Sequence, residues 1–599
     1  MSHISCNPLD LPYRYQDVRF SGSVQGVKIG EPQRSVHREA ADPSIVRYQG
    51  HYLLFASMSR GFWSSTDLNS WQFHPTAKLP PFDYAPDVRE VDGTLIISAS
   101  RKTGNSPFFR SRNPLEDDFE EIAAGTFAFW DPSVFQDNDG RIYLYWGCDA
   151  VQPLYGIELD RELTPIGEAV PLAYSDASSR GWERPGEDYM VPEPTTERER
   201  LVAQFSGAST YVEGAWMTRV GDLYYLQYSA PGTQWNTYAD GYLTASSPLG
   251  PFTYSSNSPF SSKPGGFITG AGHGSTFQDE WGNWWHAATM RISVNDVFER
   301  RVGIFPAGFD EDGVLFCNQS FADYPMLVPE GAFDPQELRR PPWMLLSYEA
   351  RTLASSHAEG HDSDLAVNED VRSWWASALP GVGQWLTADL GEEKDVHAVQ
   401  VNLGDHELAQ SAPLLDEGAD SGHTWRGIYE SHAPAEVLLE GSIDGANWAV
   451  LHDGSQAGED RPHALVVLDA PQAVRYIRVT AQSLPFDGAF AVSGLRVFGR
   501  GRGIAPQQIV PDVVRVDDRT ASLTWEEADG AQGYNIRYGP DRDKLYRSWL
   551  VYGRTSLEVP TLNAGASAWF AVDSFNENGV TFGEPVQATA ATLAIGDVA

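Results

Sequence analysis

A unit that recurs five times in the first half of the chain constrains the fold most. Each copy has an ionisable or small residue, a short apolar run, a turn glycine and then an aromatic or aliphatic strand. DPSIVRYQGHYLLFAS places Asp42 eight positions before Gly50, and APDVREVDGTLIISAS places Ala85 eight before Gly93. DPSVFQDNDGRIYLYWG places Asp131 nine before Gly140, and VEGAWMTRVGDLYYLQYS places Glu213 eight before Gly221. HGSTFQDEWGNWWHAAT places His273 nine before Gly282. Each copy is a β-hairpin by its alternation and its turn residue. The extra residue in the third and fifth copies suits a longer turn.

A repeat of roughly 40–80 residues holding several strands is the pattern of a β-propeller blade. Equivalent positions of successive blades surround one axis. The alignment therefore puts Asp, Ala, Asp, Glu and His at one structural position and brings four ionisable side chains together. Desolvation and like-charge repulsion oppose such a cluster, which chemistry would justify.

At 599 residues the chain exceeds one core, and about three domains are expected. Aromatic content is high, Gly and Pro are dense, and no long stretch has helical periodicity, so the class is all-β. The formal charge of −38, from 43 basic and 81 acidic residues, disfavours a polyphosphate partner such as nucleic acid. The three cysteines, Cys6, Cys148 and Cys317, form neither a disulfide framework nor a zinc pattern. No apolar run of about 18 residues is present, so no membrane span is expected. The N-terminus lacks a basic-then-apolar leader, which reads as cytoplasmic, or as secreted if a leader has been removed.

In chain order, residues 1–35 read as an irregular lead-in that closes the ring or covers its mouth. Blades are expected near 36–75, 80–122, 126–165, 205–255 and 264–318. Trp71 is expected between neighbouring sheets. A polar, Glu-rich insertion between Pro171 and Gln204 is either a lid or a solvated excursion. Residues 326–344 are Pro-rich and read as a linker or strap. The propeller is thus assigned to 1–335. Residues 345–500 have the short strands and polar loops of a β-sandwich. The block 505–595, with Trp525 and Tyr534 at core positions, reads as a small seven-strand sandwich.

The pieces ADPSIV, WDPSVFQDNDGRIYLYWG, VEGAWMTRVGDLYYLQYS, GYLTASSPLGPF and GAGHGSTFQDEWGNWWH together resemble glycoside hydrolase family 43, five-bladed-propeller glycosidases, over roughly residues 35–325. The segment 345–499 resembles a discoidin-type (coagulation-factor C-type) jelly-roll sandwich, a module often used to bind sugars. The tail 505–595 looks like a fibronectin type III module.

The family resemblance implies single-displacement hydrolysis with inversion. It makes Asp42 the general base, Glu213 the general acid, and Asp131 the residue that orients the acid and raises its pKa. The chemistry asks for the same set: one ionised and one protonated carboxyl, about 6.5–9.5 Å apart, with water between them. A third carboxylate nearby favours the protonated form of the acid. His273 resembles the axial histidine, which binds substrate or, through water, a metal. No cofactor is required, with room left for a structural calcium ion. Arg300 in FERRVGIFP resembles the arginine that steadies the sugar or the acid, with Arg301 the competing choice. Trp130, beside Asp131, is a candidate for stacking on a sugar, though equally suited to a core. Trp374 and Trp375 follow the buried pattern of the discoidin-type core.

These readings imply an exo-acting or debranching glycosidase on pentose-containing plant polysaccharides or their oligosaccharides, a β-xylosidase or α-L-arabinofuranosidase. A galactan- or galactofuranose-directed enzyme and a non-catalytic carbohydrate-binding propeller are the alternatives. Oligomeric state is not legible in the sequence.

Overall fold

The computed structural model describes residues 2–24, 27–28, 30–80, 84–101, 104–123, 127–191, 193, 210–420, 424–431, 433–455 and 457–590. Among the described residues the chain is all-β, with only short 3-10 turns. No described helix is long and apolar enough to cross a membrane.

Five antiparallel sheets follow one another between residues 41 and 317, each built from consecutive strands. Their first strands are Ala41–Tyr48, Asp87–Val91, Ser133–Gln136, Glu213–Val220 and Thr269–Gln278. Each first strand touches the next, and the fifth touches the first, so the sheets close a ring as a five-bladed propeller. Large aromatics fill the spaces between blades. Trp71, Trp63, Phe277 and Trp285 lie in one core cluster between the first and fifth blades, as expected for Trp71.

The chain after the ring forms two further bodies. One is an eight-stranded sheet wrapped around its own core, which includes Trp375. Short strands were expected here, but two of its strands, Trp385–Leu403 and Leu465–Ser483, are 19 residues long. Register shifts at Asp389/Lys394 and Val396/Ala398 bend the first of them, which lets one strand serve both faces. Trp374 departs from the buried reading: it is half-buried and packs on His361 and His406. The other body is a four-stranded sheet facing a five-stranded one. Trp525 and Tyr534 both lie in the core between them, with ring centroids 5.3 Å apart.

A boundary near 335–345 does not separate independent parts. The lead-in strands Tyr15–Phe20 and Gln33–Arg38 pair with each other, and Tyr15–Phe20 also pairs with Thr424–Ile428 from the eight-stranded region. The lead-in therefore joins two bodies rather than covering the ring. His3–Ser5 pairs with Met326–Val328, so 326–344 is a strap held by the N-terminus.

The described part of the Glu-rich insertion is a stitch as well. Trp182 is fully buried beside Tyr228, and Tyr189 joins the core of the last body, its ring tilted against Trp549 with centroids 6.0 Å apart. Glu187 bridges Arg291 of the fifth blade and Arg372 of the eight-stranded region. The lid expected between Pro171 and Gln204 falls in part outside the described residues, at 192 and 194–204.

Candidate active site

Asp42, Ala85, Asp131 and His273 occupy one structural position. Each lies two residues before an inner-strand residue with a fixed partner: Ser44 opposite Phe55, Asp87 opposite Ser98, Ser133 opposite Tyr145, and Ser275 opposite Ala287. All four are left-handed, with φ of 52°, 50°, 48° and 44°. Asp tolerates this region better than most residues, though it still costs roughly 1 kcal/mol or more.

The fourth blade corrects the alignment. Trp216 lies opposite Gln227, so the equivalent residue is Gly214, with φ 61°, and Glu213 stands one position earlier. A β-carbon on Gly214 would sit 2.6 Å from Ser229 Oγ and 2.9 Å from His273 Cγ. Glycine at 214 therefore makes room for the imidazole, and Glu213 reaches the axis from the neighbouring register.

A second ring of residues holds the first. The Asp42 N–H donates to Thr289 Oγ1 at 2.8 Å, Ala85 to Ser57 Oγ at 2.6 Å, Asp131 to Ser100 Oγ at 2.8 Å, and His273 to Ser229 Oγ at 2.7 Å. Each hydroxyl comes from the preceding blade. The series was legible in the sequence, because these residues end HYLLFAS, TLIISAS, DLYYLQYS and NWWHAAT. Only the third blade breaks it. Gly147 stands there, its N–H donates to the Trp130 carbonyl at 2.8 Å, and Cys148 follows. The Cys148 thiol donates to Glu213 Oε2 at 3.1 Å.

The three carboxylates have distinct surroundings. Asp42 Oδ2 accepts from Ser57 Oγ at 2.5 Å, and Oδ1 faces Arg300 Nη1 at 3.1 Å, Thr289 Oγ1 at 3.4 Å and His273 Nδ1 at 3.5 Å. Burial pushes its pKa up, but the Arg300 and His273 charges and the two hydroxyls outweigh that and hold it below the usual range. Asp131 accepts from Ser100 Oγ at 3.1 Å and lies 3.8 Å from His273 Nδ1. Burial, reinforced by Glu213 and Asp42 against the pull of His273, raises its pKa to about 7. Asp131, expected to orient Glu213 and raise its pKa, carries a raised pKa of its own. Glu213 accepts from the Tyr238 hydroxyl at Oε1 and from Cys148 at Oε2. Ligand atoms of Asp131, Cys148 and Glu213 lie within 4.8 Å of one another.

His273 links the two sides. Burial opposes charge on the ring, but Asp42, Asp131, Glu213 and Asp240 outweigh it and raise its pKa. An imidazole whose Nδ1 faces two carboxylates is a donor there. Calcium takes six to eight oxygen ligands, so His273 Nδ1 and the Cys148 thiol would not bind it directly, and the contact expected of His273 would run through water.

Arg300, rather than Arg301, reaches the cluster. Its guanidinium is buried and donates to Glu39 Oε1 at 2.7 and 3.2 Å as well as to Asp42. Those bonds tie it to Asp42, the candidate base, rather than to Glu213, the candidate acid. Arg301 turns away to His463 and the Arg38 carbonyl. Trp130 is half-buried beside Asp131. Sequence reasoning missed Glu39, Cys148, Tyr238 and Asp240. Tyr238 and Asp240 lie outside the repeat unit, and a lone thiol carries no spacing signal.

A closed five-bladed ring with buried carboxylates of opposite protonation on its axis is the class of propeller built for acid–base chemistry. Residues 35–315 match the family described as "Glycosyl hydrolases family 43". Among curated relatives, the chain is 28% identical over 295 residues to "Beta-D-galactofuranosidase xynD" of Aspergillus niger, covering 43% of this chain and 75% of that protein. It is 29% identical over 154 residues to "Xylosidase/arabinosidase" of Bacteroides ovatus, covering 25% of this chain and 43% of that protein. A solved structure titled "Glycoside hydrolase" aligns with a TM-score of 0.43 at 17% identity, over 76% of this chain and 97% of that one. The chain carries a glycosidase domain, and its substrate is a carbohydrate.

Proposed function

We propose that the domain hydrolyses pentosides with inversion, as a β-xylosidase or α-L-arabinofuranosidase. One observation carries this reading: Asp42 and Asp131 meet around His273 with opposite preferences for the proton, and Glu213 stands beside Asp131. Asp42, ionised beside Arg300, takes a proton from water as the water oxygen bonds to the anomeric carbon. Asp131 and Glu213 hold one proton between them, and Glu213 gives it to the departing glycosidic oxygen. Solvent then removes the proton from Asp42 and restores the one lost by the pair. No step uses a metal ion. Trp130 offers an aromatic edge for the sugar beside Asp131. The region 345–500 is read as the discoidin-type module and 505–595 as the fibronectin type III-like one.

The test is hydrolysis of a panel of aryl glycosides by wild type and Glu213→Gln, with the first product followed by anomer-resolved NMR. Loss of activity in the variant and an inverted first anomer support the reading. Equal activity in both, or a retained anomer, refutes it. The Aspergillus niger relative favours a second reading, hydrolysis of galactofuranosides. An aryl β-D-galactofuranoside in the same panel decides between the two by kcat/KM.

A further inference from the structure

Arg426 lies far from the five-blade repeat in sequence, on the strand Thr424–Ile428. That strand pairs with Tyr15–Phe20, which pairs in turn with Gln33–Arg38, and the chain then runs through Glu39 into the strand that carries Asp42. This three-strand path brings a guanidinium from the eight-stranded region to the first blade. Arg426 Nη1 donates to Glu39 Oε2 and to Gln16 Oε1, the latter at 2.6 Å. Glu39 Oε1 receives Arg300 Nη2 at 2.7 Å, and Arg300 Nη1 donates to Asp42 Oδ1 at 3.1 Å. Asp42, Arg300, Glu39 and Arg426 thus form an alternating row of charges, all buried.

We propose that Arg426 is a positioning residue for the reaction at Asp42, acting through Glu39 and Arg300. This inference rests on the assignment of Asp42 as general base. The physical reason is competition for one guanidinium. Glu39 is a buried carboxylate, and with a single cation it would draw Arg300 to itself. Arg426 satisfies its second oxygen, which leaves Arg300 Nη1 free to face Asp42. A buried carboxylate deprived of one partner retains a large uncompensated charge, so the row acts as a unit.

Asp296 lies 4.0 Å from Arg426 Nη2, and the Tyr84 and Phe298 rings flank Arg300 at 5.7 and 5.5 Å. His37 is buried near Glu39 and is held neutral by desolvation, with its pKa lowered to about 3. Asp42 itself is faced by His273, Ser57 and Thr289. None of these can replace Arg426 at Glu39 Oε2. Gln16 is itself held by the Met58 carbonyl at 3.1 Å, which fixes the amide that orients Arg426.

The experiment compares wild type, Arg426→Gln and Arg426→Lys as full-length protein, by two readouts. In the pH profile of kcat/KM, Arg426→Gln moves the acidic limb up by about half a pH unit or more, because Asp42 loses part of the field of Arg300. Its kcat falls about tenfold with little change in KM, the scale usual for a partner that orients a reacting group. Arg426→Lys keeps the charge and restores the limb while kcat stays reduced. In a crystal structure of Arg426→Gln, Arg300 Nη1 moves out of hydrogen-bond reach of Asp42. A lower Tm with an unmoved limb and an intact Arg300–Asp42 contact overturns the inference and leaves Arg426 a structural residue. Wild type inactive on every glycoside overturns the hydrolase reading instead, and the crystal structure alone then decides the place of Arg426. Should Arg426→Gln not fold, Arg426→Lys carries the kcat readout, and an unchanged kcat counts against the inference.

Discussion

The two sides of the axial pocket hold the same functional group in opposite surroundings. On the side of Asp42 the partners are a fully charged guanidinium and two hydroxyl donors, and the row of charges continues to Glu39 and Arg426. On the side of Glu213 and Asp131 the partners are a phenol, a thiol and a serine hydroxyl, with no arginine in hydrogen-bond contact among the described residues. Asp42 and Asp131 are equally buried, so burial alone does not set the proton between them. The permanent cation does, because a carboxylate stays ionised in low dielectric only when a charge of the opposite sign is fixed beside it. His273 sits between the two sides, and its own charge depends on both.

Removing either end of this asymmetry has the largest effect. Asp42→Asn and Glu213→Gln each reduce kcat by about 10³-fold or more, read with an activated aryl glycoside as substrate. If Glu213→Gln keeps its activity on a substrate with a poor leaving group, the acid lies elsewhere. Asp131→Asn comes next, with kcat down about 10²-fold and the alkaline limb near pH 7 lost. It also separates function from stability. The folded pKa of Asp131 is raised from 3.8 to about 7, so the folded state holds a proton that the unfolded state releases in that window. Stability from this group is full below about pH 4, falls as pH rises, and is lost above about pH 7. The asparagine variant removes that penalty, and its Tm rises relative to wild type by several degrees near pH 8 and not near pH 4.

Gly214→Ala tests the gap that admits His273. Positive φ and the contacts with Ser229 and His273 predict a loss of about 2 kcal/mol in urea unfolding, with His273 displaced from Asp42. Cys148→Ser is the mildest change. The hydroxyl keeps a donor on Glu213, so kcat falls about threefold and the alkaline limb shifts slightly, whereas Cys148→Ala has the larger effect of the two. Equal profiles for Ser and Ala would make the thiol a spectator.

Much of the site was written in the repeat. The turn glycines locate the inner strands, and counting back from them finds Asp42, Asp131 and His273 at one structural position. Counting forward finds the hydroxyls Ser57, Ser100, Ser229 and Thr289, a regularity just as visible. Glu213 was found for a partly wrong reason. Its distance from Gly221 matched the pattern, while the strand pairing puts Gly214 in that register, because the bulges differ between blades. A count of residues cannot tell where a bulge falls.

The chain by itself determined the all-β class, the five-fold ring and the convergence of acids on its axis, because period-two strands and turn glycines are local properties that repeat. Only the tertiary structure decided which acid is ionised. That choice depends on Arg300, held by Glu39, itself held by Arg426 from more than 100 residues further along the chain. Electrostatic interactions act through space and strengthen as water is excluded, so the partners that set a proton need not be near in sequence.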